Sequence, residues 1–406
     1  MKTIKYFGAI ILISILSWNC ADENLPTADK LYTSGAEAAN IISISPSLGL
    51  SGVTVFDITA ENLDDSASNH WVYFNNKKGT VISKDGNVLK AKAPILTGDS
   101  IEVKIVKLNS DKISNKKIVK LVSALKTYDY EKVVKLFGGL TVDQSDSIYF
   151  TKFLNDVAIG TYKLSKNGDR LFAPKGQEPF WTGMKYCSKD QTIYACRNQR
   201  GIWKVIEGQT PSNSPWRIYN SGDNMLDLDF DNNDYIWSAG STTKIYKVKR
   251  TDINDFKSFT LPFTGSIIRG IRYFNGALYF GGTIVGKERV YKVPVLSNGD
   301  LDLDNLEQMA VISDIRSCLV KAITLDNEGN IYVGTDLADD PIYIIYPDKR
   351  VEVFYPGVLK GKVLGFAWDS ETNLIYARER LNDKETNIIV KVNTLKQGAP
   401  NYALSN

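Results

Sequence analysis

The chain has 406 residues, 43% hydrophobic and 11% aromatic, enough for a large core and, by length, for two or three domains. Its 49 Lys and Arg against 46 Asp and Glu give a formal net charge of +3, so no global charge favours nucleic acid or an anionic membrane surface as partner. The single histidine, His70, excludes Ser-His-Asp and Cys-His arrangements and multi-histidine metal sites from the rest of the chain.

Lys2 and Lys5 flank the start of an apolar run, FGAIILISILSW at 7–18, which is too short to span a bilayer as a helix. The run ends in LSWNC and is followed by ADEN. This resembles the lipobox of a bacterial lipoprotein, with 1–19 as signal peptide and Cys20 as the lipidated first residue of the mature chain. Trp18 and Asn19 depart from the small residues usual there. Asp22 and Glu23 resemble the acidic export signal of Bacteroidota surface lipoproteins, which implies an outer-membrane lipoprotein exposed on the cell surface. Residues 20–38 are polar and aperiodic and read as a flexible tether.

Cys187, Cys196 and Cys318 remain, an odd count that does not suggest a disulfide framework. A turn at 188–191 pairs Cys187 with Thr192, so the sulfurs of Cys187 and Cys196 do not face each other. All three read as small core residues.

Residues 39–123 read as a small all-β domain. Alternation through Val53, Val55 and Ile58, breaks at Pro46, Gly49 and Gly52, and strict alternation of Ile101, Val103 and Ile105 predict strands and turns. Ile44-Ser45-Pro46, Gly49, Gly52, the VTVFDITAENL stretch, Val72-Tyr73-Phe74 and Ala93-Pro94 resemble an IPT/TIG domain, which implies an immunoglobulin-like β-sandwich. His70 reads as a surface residue beside Trp71.

From about 128 to 406 a repeat takes over. An aromatic recurs at Tyr149, Tyr194, Trp237, Tyr279, Tyr332 and Tyr376, followed by a second strand such as GIWKV, KIYKV or RVYKV. A period of roughly 40–50 residues with several strands per repeat is the signature of a β-propeller. One unit reads LVKAITLD, IYVGT, PIYII and VEVFYPG (319–357). The recurring Lys163, Lys204, Lys247, Lys292 and Lys391 read as aliphatic stems across apolar surface with ammonium groups at the rim. The last repeat lacks its own outer strand. Residues 131–136 read as completing it, which closes the ring with an N-terminal strand. The stretches LDLDFDNNDYIWSAG and AITLDNEGNIYVGT resemble NHL-type propellers, so the predicted fold is all-β: a sandwich followed by a six-bladed propeller. Residues after 393 read as a terminal extension.

Candidate chemistry lies in the unlike loops. Loops leading into first strands and loops joining second to third strands hold Phe180, Trp181, Arg197, Arg269, Arg316 and Arg378, aromatics and guanidinium groups that suit a sugar or an anionic chain. Asp300, Asp302 and Asp304 alternate as in oxygen-rich calcium loops but lack the central Gly, so a structural calcium ion there is a weak candidate and no other cofactor is expected. Asp227 and Asp229 are placed to face the channel. No phosphate loop, Walker motif or GxSxG is present, and nucleic acid is not an expected partner.

The whole resembles a Bacteroidota surface lipoprotein of the kind that accompanies SusC/SusD-like nutrient uptake systems. That resemblance implies non-catalytic binding of a glycan, or service as an accessory subunit of an uptake complex. Two alternatives stand beside it: a propeller enzyme, either a polysaccharide lyase or a metal-dependent hydrolase or lactonase, and a platform for protein interaction or peptide uptake.

Overall fold

The computed structural model describes residues 36–108, 110–128, 138–154, 157–177, 180–378 and 388–404. Cys20, the leader, most of the tether, and the 131–136 segment lie outside the described residues. What is described is nearly all β, with three short 3-10 turns. No helix among these residues is long and apolar enough to cross a membrane.

The chain forms two compact units. The first takes its described residues from 36–48, 55–92 and 100–120, and the second takes 49–54, 93–99 and everything from 121 onward. The strands of the first belong to two antiparallel sheets. One orders Asn40–Ser45, Val55–Glu61, Val88–Lys92 and Thr80–Asp85; the other includes Lys117–Val122, Gly98–Lys107 and His70–Phe74. Alternation sends Phe56, Ile58 and Ala60 from one sheet and Val72, Phe74, Val103 and Ile105 from the other into a shared core. Phe56 and Phe74 meet there, ring centroids 5.6 Å apart. His70 is buried rather than exposed, and its Nε2 accepts from the Asp64 N–H at 3.0 Å. Burial holds its pKa below the ordinary value, with Asp64 opposing.

The second unit contains six four-stranded antiparallel sheets, each beginning with an inner strand: Leu140–Val142, Gly183–Cys187, Asn224–Phe230, Ile267–Phe274, Val320–Leu325 and Val363–Trp368. A single pair, Ser241 with Ile267, joins the third sheet to the fourth. Each inner strand contacts the next, and the sixth contacts the first. At that last contact the chains are so close that a Cβ on Gly365 would lie 1.9 Å from the Gly138 carbonyl oxygen. Middle strands such as Thr192–Cys196 and Ile331–Thr335 are buried on both faces, as expected where sheets pack face to face. Cys187 pairs with Thr192, as the turn requires, and Cys187 and Cys196 are free and fully buried, whereas Cys318 is half-buried.

The sixth sheet is completed from the N-terminal side, and the described strand that does so lies upstream of the expected 131–136 segment. Leu125–Tyr128 pairs antiparallel with the last strand, Leu125 opposite Val392 and Tyr128 opposite Ile389. Leu125 and Tyr128 pack onto the cores on either side of this sheet. LKTY and EKVVKLF have similar apolar alternation, so pattern alone did not separate them.

A repeated carboxylate explains the repeated aromatic and lysine. In each of four sheets an Asp ends the inner strand's turn, and its Oδ1 accepts the backbone N–H groups two and four residues on. Asp143 takes Ser145 and Ser147, Asp231 takes Asn233 and Tyr235, Asp326 takes Glu328 and Asn330, and Asp369 takes Glu371 and Asn373. Oδ2 then accepts from the recurring aromatic or lysine. Tyr149 and Lys163 donate to Asp143, Trp237 to Asp231, Tyr332 to Asp326, and Lys391 to Asp369. The lysines therefore hold specific partners rather than ending free at the rim; Lys247 donates to the Gly299 carbonyl at 2.8 Å and lies over Tyr235.

Candidate functional site: the channel and its mouth

The inner strands surround two small cavities along one axis. The deeper holds about 50 Å³ and is lined by residues of all six inner strands, including Lys185, Asp229, Arg272 and Trp368. The other, at the strand beginnings, holds about 10 Å³ and is lined by Thr182, Met184, Asp227, Arg269, Arg272, Lys321 and Leu364 among others. A cavity of about 10–15 Å³ on this scale just holds one water, so the deeper one has room for a few waters and the other for about one.

Four charged side chains fill the space between. Lys185 pairs with Asp229 at 3.0 Å and Arg272 pairs with Asp227, all four largely buried. Asp227 also accepts the Ile271 N–H at 3.1 Å, and Asp229 the Tyr273 N–H at 2.9 Å. The third inner strand is thereby tied to the fourth through its carboxylates. Burial, reinforced by the Arg272 charge, pushes the Lys185 pKa below its ordinary value against the pull of Asp229 and Asp227. For Arg272 burial opposes the charge, but Asp227 and Asp229 outweigh it and raise the pKa. Both carboxylates are thus committed to a cation and a backbone donor. A general base or a metal ligand would have to break those bonds first. Among the described residues no group of three or more His, Cys, Asp or Glu side chains is placed to hold a metal ion.

The mouth is shaped by backbone. In sheets three to six the pairing of the inner strand skips one residue at the same place: Leu226, Arg269, Lys321 and Leu364. Such a bulge re-aims the extra side chain. Three of the four, Arg269, Lys321 and Leu364, line the mouth. Glu288, itself buried, fixes one side by accepting from Arg269 at 3.2 Å and from the Val320 N–H at 2.8 Å. Arg269 in turn donates to the Val320 carbonyl at 3.2 Å.

The opposite end is crossed by the C-terminal segment, which is a structural part of the unit and not an extension. Ala399, Pro400 and Asn401 line the deeper cavity. The Ala399 N–H donates to Leu325 at 3.0 Å, Ser188 donates to the Ala403 carbonyl at 2.9 Å, and Gln144 donates to Leu404 at 2.8 Å. Gly398 is required where it stands, because a Cβ would meet Trp368 Cγ at 2.3 Å.

Of the six loop residues singled out from sequence, Arg269 alone lines either cavity. Trp181 is core: it is 1% exposed and donates its indole N–H to Thr161 at 3.1 Å. Phe180 is 39% exposed and stacks on Phe153 at 5.6 Å. Arg197 lies over the Trp203 ring at 4.1 Å and bonds Gln199. Arg316 is exposed and donates to the Asp339 carbonyl at 3.4 Å, and Arg378 is buried and donates to the Lys360 carbonyl at 3.1 Å. Asp300 is engaged by Lys257 through both oxygens at 2.6 Å, and Asp302 by Asn305 at 2.7 Å, while Asp304 lies in the short turn Leu303–Asn305. An ammonium therefore already sits where Asp300 would meet a calcium ion. Sequence reasoning missed Lys321, Lys185, Arg272 and Thr182. Lys321 sits at one of the bulges, which the apolar run VKAITL does not mark.

No family model matches this chain, and no curated protein matches it. Solved structures do. A luciferin-regenerating enzyme is 13% identical, with 70% of this chain and 100% of that one covered at a TM-score of 0.52. A protein from Bacteroides thetaiotaomicron is 10% identical, with 88% and 97% covered at 0.51. An auxiliary nutrient binding protein from Bacteroides ovatus is 12% identical, with 88% and 98% covered at 0.49. At these identities the first two likenesses are ones of fold, and through them the chain is placed among β-rich proteins built of repeated sheets.

Proposed function

We propose that this chain is a non-catalytic binding protein of the bacterial cell envelope, acting as an accessory subunit in nutrient uptake. Its second unit is a six-bladed propeller whose bulge-rimmed mouth presents the ligand surface, and its first is an immunoglobulin-like spacer. The observation that carries this reading is the internal neutralisation of Asp227 and Asp229. Each carboxylate holds a cation and a strand, so the channel is a brace and recognition falls to its mouth. The lipobox-like LSWNC followed by ADEN supports an outer-membrane anchor at Cys20.

Two measurements test this. The tagged chain is purified from detergent-solubilised envelopes and its partners identified; stoichiometric recovery of a TonB-dependent transporter with its SusD-like lid supports the accessory role. The purified chain is also incubated with a panel of neutral and acidic oligosaccharides. Binding without product is expected, and turnover of any member by elimination or hydrolysis would overturn the non-catalytic reading.

A further inference from the structure

The two sheets of the first unit have unlike outer faces. Alternation decides which side chains lie there, because the buried members of each strand are fixed. In His70–Phe74 the buried residues are His70, Val72 and Phe74, so Trp71 and Tyr73 turn outward. Tyr73 stands directly opposite Lys78 on one side and Lys104 on the other, and Trp71 stands opposite Val106. Directly opposed residues of an antiparallel pair have Cβ atoms about 4.5–5.5 Å apart, so Lys78, Tyr73 and Lys104 form one row. In Lys117–Val122 the buried residues are Val119 and Leu121, so Lys120 and Ile118, the latter 56% exposed, turn outward as well. Among the described outward positions of these strands Glu102 is the one acid, and Lys116 pairs with it at 2.7 Å. The other sheet differs. Its outward rows are Thr59-Val88-Asp85, Asp57-Lys90-Ser83 and Val55-Lys92-Thr80, with Glu61 at one end. There Asp57, Glu61 and Asp85 stand against Lys90 and Lys92, whereas Lys78, Lys104 and Lys120 stand against Glu102 alone.

We propose that the face carrying Trp71, Tyr73, Lys78, Lys104 and Lys120 rests on an anionic lipid surface and so orients the first unit against the envelope. Trp and Tyr suit a membrane–water boundary, because each ring buries apolar area while its polar tip stays wet. The lysines beside them are drawn to negative headgroups, which the opposite face, with its excess of acids, would repel. The inference rests on the reading of Cys20 as lipid-anchored and names the surface that then meets the membrane. Asn40, where the first strand begins, lies 20 positions after Cys20, a reach of at most about 70 Å. An anchor that near keeps the face at high effective concentration over the lipid, so the attraction of a few lysines is enough to set orientation.

The chain from residue 21 onward keeps every described residue and carries no lipid, so it tests the face alone. It is sedimented with vesicles of phosphatidylglycerol in phosphatidylcholine, and with vesicles of phosphatidylcholine only. Binding to the anionic vesicles that is released by salt is expected, and none to the neutral ones. Lys78→Gln, Lys104→Gln and Lys120→Gln together should lower partitioning about hundredfold, about fivefold for each lysine, with thermal melts unchanged. Lys90→Gln with Lys92→Gln, on the opposite face, should leave partitioning unchanged. Should the triple variant fail to fold, brominated lipid reads the same contact: it should quench tryptophan emission in the parent chain and less in Trp71→Phe. Failure to bind anionic vesicles, equal binding to neutral ones, or equal losses from the two sets of lysines would overturn the proposal. So would undiminished quenching in Trp71→Phe, or binding of polygalacturonate in place of vesicles, which would make the face a site for an acidic glycan. The accessory role would survive each of these results, because it is read from the recovered transporter.

Discussion

Replacing Asp231 by Ala tests whether the turn carboxylate is what recurs in this chain. Asp231 is 3% exposed and accepts three hydrogen bonds: the Asn233 and Tyr235 N–H groups at 2.9 Å, and the Trp237 indole at 2.8 Å. Trp237 is 0% exposed, so its N–H would be stranded away from water, at a cost of about 1–3 kcal/mol. The two turn donors belong to partly buried backbone and regain water, so each contributes about 0.5–1.5 kcal/mol. The total is about 4 kcal/mol by the same reasoning. A double-mutant cycle separates the parts. In a Trp237→Phe background the indole is gone, and Asp231→Ala should then cost about 1–3 kcal/mol, the turn bonds alone. The chain has two compact units, so a single unfolding transition is not assumed. Amide hydrogen exchange of peptides covering 225–241 reads the third sheet locally. A loss below about 1 kcal/mol, or an equal loss in both backgrounds, would refute the argument that this carboxylate anchors the aromatic.

Three other outcomes follow from the same physics. Burial works against the Asp143 charge, but Lys163, the Ser147 N–H, the Tyr149 hydroxyl and the Ser145 N–H outweigh it and hold its carboxyl below the ordinary 3.8. Its folded pKa is depressed, so its stabilisation is present above about pH 4 and lost as pH falls through the folded value. Urea unfolding across an acid series should show that fall flattened in Asp143→Asn, and an unchanged curve would count against it. Gly365→Ala places a methyl 1.9 Å from the Gly138 oxygen at the contact of sixth and first inner strands, and is expected to cost about 3 kcal/mol or more in thermal unfolding; a wild-type melt would show that this contact is not as drawn. Trp181→Phe should cost about 1 kcal/mol through its lost bond to Thr161 and leave ligand affinity at the mouth unchanged, and a loss of affinity would return Trp181 to the ligand surface.

The repeat was legible because it is written in apolar residues. Tyr149, Tyr194, Trp237, Tyr279, Tyr332 and Tyr376 recur with buried neighbours on both sides, and a strand covered on both faces can only be apolar. The turn aspartates were visible in the sequence but were assigned no role, since their partners are backbone N–H groups that no alphabet records. Lys163 and Lys391 were seen as a series, yet the bonds that explain them, to Asp143 and Asp369, depend on a turn and a third strand meeting. The order of error at the ligand surface is similar. Loop position alone suggested Trp181, Arg197 and Arg378, and each proved to be held by its own sheet or loop.

What shapes the mouth instead is a one-residue slip in strand pairing. A bulge leaves hydrophobic content unchanged and moves a single side chain from one face to another, so periodicity registers it only as noise. That is why Arg269 was found, as a charge in a loop-like position, while Lys321, its counterpart in the next sheet, was absorbed into an apolar strand. The two occupy the same bulge site one sheet apart, yet Arg269 is paired with Glu288, whereas among the described residues Lys321 has no such acid.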